Sequence, residues 1–212
     1  MKKIVLTLVA AMALSGAYAQ EGNIKLNAPN MKSGSNIMEA FAKRQSTREF
    51  SDKALCNNCL SNLLWSANGI NREDVSKRTA PTAKNQQEID VYVCMEKGAY
   101  LYDAKAHELV LVTTEDLRPL VAGAQDFVKT APVCLVIVAD LERFSGSDTE
   151  SGKMMIACDA GIVSQNISLF CAGRGFATVP RAWMEREKLA EALGLGATKL
   201  PILNHPVGYF KE

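Results

Sequence analysis

Hydrophobic positions along the chain recur with two distinct periods. Ile37, Met38, Phe41 and Ala42 fall on one helical face behind Ser35, which can cap a helix running to about Lys43. Leu60, Leu63 and Leu64 repeat that spacing over about Asn57 to Ala67, and Asn68-Gly69 closes this second helix. The polar stretch 70–88, interrupted by Pro81, reads as a loop. The period then shortens. DVYVCME (90–96), AYLYD (99–103) and ELVLVT (108–113) have strand length and strand composition with short turns between them, which predicts an antiparallel meander. A short helix is predicted around Leu117 to Ala124. The almost unbroken apolar run APVCLVIVAD (131–140) predicts a central strand.

Residues 150–174 form the longest helical pattern. Met154, Met155, Ile156, Ile162, Val163, Ile167, Leu169 and Phe170 lie nearly all round it, interrupted by the small residues Ala157, Ala160, Gly161 and Ser164. Such a helix is predicted to be buried on several sides, with the small residues admitting another helix at a subunit interface. A strand in FATVP (176–180), a helix at 185–193 and a strand near 200–208 complete the order. The class expected is α+β, a mostly antiparallel central sheet flanked by helices.

The N-terminus adds a compartment. Lys2 and Lys3 precede the apolar stretch Ile4 to Leu14, and Ala17-Tyr18-Ala19 has the small-x-small form of a secretory cleavage site. The reading is a signal peptide at 1–19, a flexible lead-in at 20–34 and one domain at 35–212, exported and periplasmic. The apolar stretch is too short to span a bilayer, so no membrane span is expected in the mature chain. With 24 basic and 23 acidic residues the chain is near neutrality, which excludes the electrostatic footprint of a nucleic-acid partner.

All six cysteines lie beyond the signal. Cys94, Cys134, Cys158 and Cys171 sit in apolar stretches and are expected to be buried thiols. Cys56 and Cys59 are different: a C-x-x-C pair at a helix start is the layout of a thiol–disulfide redox motif. A structural disulfide, a dithiol relay and two free thiols all fit the spacing. His107 and His205 fall at turns with no partner at ligand spacing, so no metal site is expected. Phe50 and Trp65 are expected in the core.

In AKRQSTREF (42–50), Arg44, Ser46 and Arg48 bring two fixed cations and a hydroxyl into one short turn, a composition suited to a phosphate. This R-x-S-x-R-x-F segment after a short first helix resembles the start of the nitroreductase family of flavin mononucleotide (FMN) enzymes, in the fold shared by nitroreductases and SagB-type oxidoreductases. LSNLLWSANGINR (60–72), RTAPTAKNQQEIDVYV (78–93), DAGIVSQNISLFCAGRGFATVP (159–180) and LPILNHPVGYFK (200–211) resemble further family segments in the same order.

The resemblance implies an obligate homodimer whose non-covalent FMN lies in the dimer groove with contacts from both chains. Arg44, Gln45, Ser46 and Arg48 would hold its phosphate and ribityl chain, and Gly208 and Lys211 would return to the phosphate. Asn85 would face the pyrimidine edge, with Thr82 and Gln87 nearby. The backbone at Val179, Pro180, Arg181 and Ala182 would approach the reactive N5 edge. No protein side chain is nominated as catalytic, because the chemistry belongs to the flavin. The activity implied is a ping-pong, two-electron reduction of small flat acceptors such as nitroaromatics or quinones by a small-molecule donor. Thr82 stands where the family usually has Ser, and VPRAWM lacks a Glu-Gly that many members carry after the proline. The alternatives are an exported thiol–disulfide protein using Cys56 and Cys59, and a flavin-binding protein without turnover.

Overall fold

The structure, a computed structural model, describes residues 22–212. The signal peptide expected at 1–19 lies outside the described residues. In chain order the elements are β1 (Ile24–Lys25), α1 (Ile37–Lys43), α2 (Asn57–Asn68), β2 (Ile70–Arg72), β3 (Lys77–Arg78), β4 (Ile89–Met95), β5 (Gly98–Asp103), β6 (Glu108–Thr113), α3 (Arg118–Ala122), β7 (Val133–Asp140), α4 (Glu150–Arg174), β8 (Phe176–Thr178), α5 (Arg186–Ala192) and β9 (Lys199–Tyr209). Seven strands form one sheet in the order β1-β6-β5-β4-β7-β9-β8, and every pairing in it is antiparallel. The meander expected from 90–113 is therefore present.

All eight residues of β7 are buried, because helices cover both faces of the sheet at that point. Val91, Val93, Leu135 and Ile137 point into a core shared with Leu60, Leu63 and Leu64 of α2 and Ile156, Val163 and Ile167 of α4. Their neighbours Tyr92, Cys94, Cys134, Val136 and Val138 face the opposite core, closed by Val121 of α3 and Leu189 of α5. The period of two along the strands thus sorts side chains between two helical layers.

Five expectations change. Asn36, not Ser35, caps α1: its side-chain oxygen accepts the Glu39 N–H at 3.0 Å. The lead-in is tied down from residue 22 onward. β1 pairs with β6, and His107 Nε2 donates to the Asn27 carbonyl at 2.8 Å while its Nδ1 accepts from the Tyr102 hydroxyl at 2.9 Å. Residues 70–88 are not a plain loop: β2 and β3 form a two-stranded ribbon, and 3-10 turns occupy Glu73–Val75 and Ala83–Asn85. Cys158 is exposed on α4, while Cys94, Cys134 and Cys171 are buried as expected. The fifth change is His205, which lies buried inside β9 instead of at a turn.

α4 begins at Thr149, whose hydroxyl accepts the Gly152 N–H at 3.0 Å, and ends at Gly175 in the left-handed region with φ 70°. It is long and apolar enough to cross a membrane. It is instead a core helix, placing Asp159, Ser164 and Ser168 in the protein interior. Only one side is buried within the protomer. Met154, Met155, Ala157 and Cys158 remain exposed, and so do Ile37, Met38 and Phe41 on the adjoining α1.

Ser164 Oγ and His205 Nε2 are 2.7 Å apart, linking α4 to the sheet. Thr178 Oγ1 donates to the Pro206 carbonyl at 2.9 Å, so His205 Nδ1 must donate to Thr178 Oγ1 at 3.2 Å, and Nε2 must accept from Ser164. That is the neutral imidazole, and burial pulls its pKa down to about 3. The unfolded chain therefore binds a proton at this histidine below about pH 6.5 that the folded chain refuses, so stability is lost as pH falls through that value. Denaturant unfolding from pH 7 to pH 5 is expected to show wild type losing stability relative to His205→Gln.

Candidate functional site

Chain geometry brings one group of the expected site residues together. After α1 the segment 44–51 runs beside the ends of β8 and β9: Thr47 N–H donates to the Thr178 carbonyl at 2.9 Å, and Ser51 N–H to the Tyr209 carbonyl at 3.0 Å. Phe50 forms an isolated bridge with Phe210 and is buried, as expected, and Trp65 is half-buried. A cavity of about 480 Å³ opens there, lined by Arg44, Gln45, Ser168, Phe176, Thr178 and Phe210 among others. Arg44, Gln45, Ser46, Arg48 and Lys211 are all exposed. Arg48 lies near enough to Arg181 for its charge to add to the effect of burial in lowering the Arg181 pKa. Lys43 and Arg44 thus put two cations on the wall of an open cavity, an arrangement suited to an anion.

Gly208, assigned to the same group, sits behind it. A Cβ there would stand 2.8 Å from Pro132 Cδ and 3.4 Å from Phe50 Cβ, so the glycine allows the 48–51 segment to pack closely. In the strip 179–182, Val179 is buried while Pro180 and Ala182 are exposed. Every nitrogen of the buried Arg181 guanidinium is engaged. It donates to Gln125 Oε1 at 2.7 Å, Asn204 Oδ1 at 2.6 Å, and the carbonyls of Val121 and Ala122 at 3.2 and 3.1 Å. Its backbone N–H and carbonyl pair with Asn204. Arg181 is therefore the strut that fixes the strip.

Thr82, Asn85 and Gln87 are not with this group. Ala83 N–H donates to Asp159 Oδ2 at 2.8 Å, nine residues before Ser168 on α4. That is roughly 13 Å along the helix axis. The turn is tightly specified: Lys84, Asn85 and Gln87 all have positive φ, at 55°, 56° and 51°. The Thr82 hydroxyl accepts the Gln87 N–H at 2.9 Å, Arg78 donates to Gln87 Oε1 at 2.9 Å, and Gln87 Nε2 donates to the Ser76 carbonyl at 3.0 Å. Three non-glycine residues in the left-handed region make this an uncommon turn, held by the bonds just named.

Two acidic residues behind that turn escaped the reading of site residues. Glu88 is fully buried, Asp159 is 5 % exposed, and burial pushes the Glu88 carboxyl up to about 7, with Asp159 adding to the effect. A carboxylate embedded in the apolar pattern of MMIACDAGIVSQNI is the signal that could have found Asp159.

Cys56 and Cys59 are joined in a disulfide with Cα atoms 5.0 Å apart. The exposed Cys56 caps α2, and its Sγ accepts the Cys59 N–H at 3.1 Å. The pair opens on a separate cavity with Asn30, Lys32 and Arg174, which Arg44 does not line. Among the described residues no cluster of His, Cys, Asp and Glu could hold a metal.

The antiparallel seven-stranded sheet between two helical layers, with the basic segment after α1, is a nitroreductase-like fold. The Nitroreductase family model matches residues 41–209, and the chain belongs to that family of oxidoreductases. A crystal structure of a candidate nitroreductase from Ralstonia eutropha JMP134 is 38% identical and covers 90% of both chains, with a TM-score of 0.84. A candidate nitroreductase of Methanocaldococcus jannaschii is 29% identical over 181 residues, 81% of this chain and 90% of the relative. A chain of the E. coli microcin synthetase complex shares the fold at 20% identity, with a TM-score of 0.70 over 97% of this chain and 85% of that one.

Replacing Arg181 with Ala leaves the Asn204 amide oxygen and two carbonyls without their donor in a buried place. Denaturant unfolding is expected to show a loss of roughly 2–4 kcal/mol.

Proposed function

We propose that the protein is an FMN-dependent oxidoreductase, exported and homodimeric, that passes two electrons from a small-molecule donor to small flat acceptors such as nitroaromatics or quinones in a ping-pong cycle. The observation that carries this reading is the cavity at the end of α1, whose wall carries the two cations Lys43 and Arg44 beside Gln45. Bound there, the flavin would supply the redox chemistry, accepting and releasing the electron pair.

The residues fit that group. Arg44 and Arg48 would clamp the phosphate, with Ser46 and Lys211 completing the charge and hydrogen bonding. Gln45 and Thr178 would border the chain leading from it. Pro180 and Ala182 are exposed on the strip fixed by Arg181 and would lie against the ring. These groups bind and orient, and no proton transfer is assigned to any of them.

The homodimer is supported by two features of the protomer. Thr82 and Asn85 sit far along α4 from Arg44, so one chain does not assemble the complete set. The exposed apolar side chains of α1 and α4 also offer a contiguous surface to a second copy. In that arrangement the 82–87 turn of one subunit would complete the cavity of the other. Export is supported by the residue pattern at 1–19 and is compatible with the Cys56–Cys59 disulfide.

Purified protein is expected to be yellow and to release FMN on denaturation. A colourless protein that takes up no added FMN would end the reading. Arg48→Ala is expected to weaken FMN binding roughly 10- to 100-fold in a fluorescence titration, the loss of one charge-assisted contact. In light scattering, Phe41→Asp is expected to convert a dimer to monomers, because a charge would be buried in the apolar contact.

A further inference from the structure

Glu88 ends the 82–87 turn where the chain enters β4, and its environment is unusual. It is 0 % exposed, and neither carboxyl oxygen has a hydrogen-bond donor among the described residues. The charged groups that face it are Asp159 from α4 and Arg143 from the 3-10 turn after β7. Arg143 is committed elsewhere: it pairs with Asp90 at 2.6 Å and Asp140 at 3.2 Å, and donates to the carbonyls of Gln87 and Glu88 at 2.9 and 3.3 Å. Lys199 adds to the same outer cluster, 3.7 Å from both Asp90 and Asp140.

Two adjoining buried carboxyls with no cation bonded to the inner one cannot both stay ionised, so one keeps a proton and shares it with the other. The location of that proton follows from the backbone. Asp159 Oδ2 already accepts the Ala83 N–H at 2.8 Å, whereas Glu88 has no N–H to answer. The proton therefore belongs on Glu88, the carboxyl that no N–H answers.

We propose that Glu88 is held as the neutral acid, donates its proton to Asp159 in a hydrogen bond, and through the Asp159–Ala83 bond acts as the positioning residue for the turn that presents Asn85. The presentation of Asn85 to a flavin rests on the FMN reading; the shared proton and its hold on Ala83 do not. Loss of that proton at alkaline pH places two like charges together in a buried site. The Asp159 carboxylate is then pushed away from Ala83, and a turn with three left-handed residues loses its tether. Glu88→Gln keeps the shape and a donor while removing the titration.

The test uses the full chain as wild type, Glu88→Gln and Glu88→Ala, with three readouts. In protein without added FMN, hydrogen exchange at the Ala83 amide, corrected for its intrinsic pH dependence, is expected to speed up roughly tenfold between about pH 6 and about pH 9 in wild type and to stay flat in Glu88→Gln. The infrared band of a protonated carboxyl is expected in wild type at pH 6 and absent from Glu88→Gln. FMN affinity is expected to weaken over the same range in wild type, to be pH-independent in Glu88→Gln, and to be low throughout in Glu88→Ala. Equal pH dependence of Ala83 exchange in wild type and Glu88→Gln overturns the proposal, as does a band that persists in Glu88→Gln. Should neither variant fold, the wild-type band decides: its absence at pH 6 overturns the proposal. Expected behaviour at Ala83 in a protein that binds no FMN would keep the shared proton and reject the flavin reading.

Discussion

The 25 residues of α4 have to satisfy the sheet on one side while leaving apolar surface on the other, and the rest of the fold is arranged around that requirement. Its buried side places Ile156, Val163 and Ile167 against the central strands. The same side carries three polar groups inward, each with a job. Asp159 takes the Ala83 N–H, Ser164 meets His205, and the Ser168 hydroxyl is returned to the helix through the Ser164 carbonyl at 3.0 Å. The helix is thus both the packing axis and the member to which the two halves of the candidate site are attached, one near Asp159 and the other near Ser168.

This division explains why one protomer holds two separated groups of site residues. Arg44, Gln45 and Arg48 are set by the end of α1 and by the bond from Thr47 to Thr178. The Thr82–Gln87 turn is set by its own side chains and by Asp159. Within the protomer the two groups therefore stand roughly 13 Å apart along α4, at Asp159 and at Ser168. In the proposed homodimer, a second copy laid on the exposed faces of α1 and α4 would account for both the separation and the unburied Ile37, Met38, Phe41, Met154 and Met155.

Much of the fold was legible because it rests on periodicity. The runs behind β4 to β7 and the 25-residue pattern of α4 stand within a residue or two of their expected bounds, and Arg44 and Gln45 of the basic segment line a cavity. Features held by tertiary bonds were not legible. Asn36 won the α1 cap from Ser35 by geometry that two adjacent cap-forming residues cannot reveal. The 22–34 stretch looks flexible by composition, yet His107, far away in sequence, holds the Asn27 carbonyl. His205 was expected at a turn, whereas β9 runs through it and the hydroxyls of Ser164 and Thr178 hold its ring. The engaged guanidinium of Arg181 and the buried Glu88 depend on side chains from several elements, and no local spacing encodes them.

The dependence of the site on two chains is tested most directly by complementation. Arg48→Ala and Asn85→Ala would each be purified as deficient in FMN binding, then mixed, dissociated and allowed to reassociate. If each cavity takes its phosphate clamp from one subunit and its Asn85 turn from the other, heterodimers contain one site with both defects and one intact site, and FMN binding returns to a fraction of the sites with wild-type affinity. If both groups act on a flavin within the same chain, every site in the mixture keeps one defect, and no tight binding returns however long the subunits exchange.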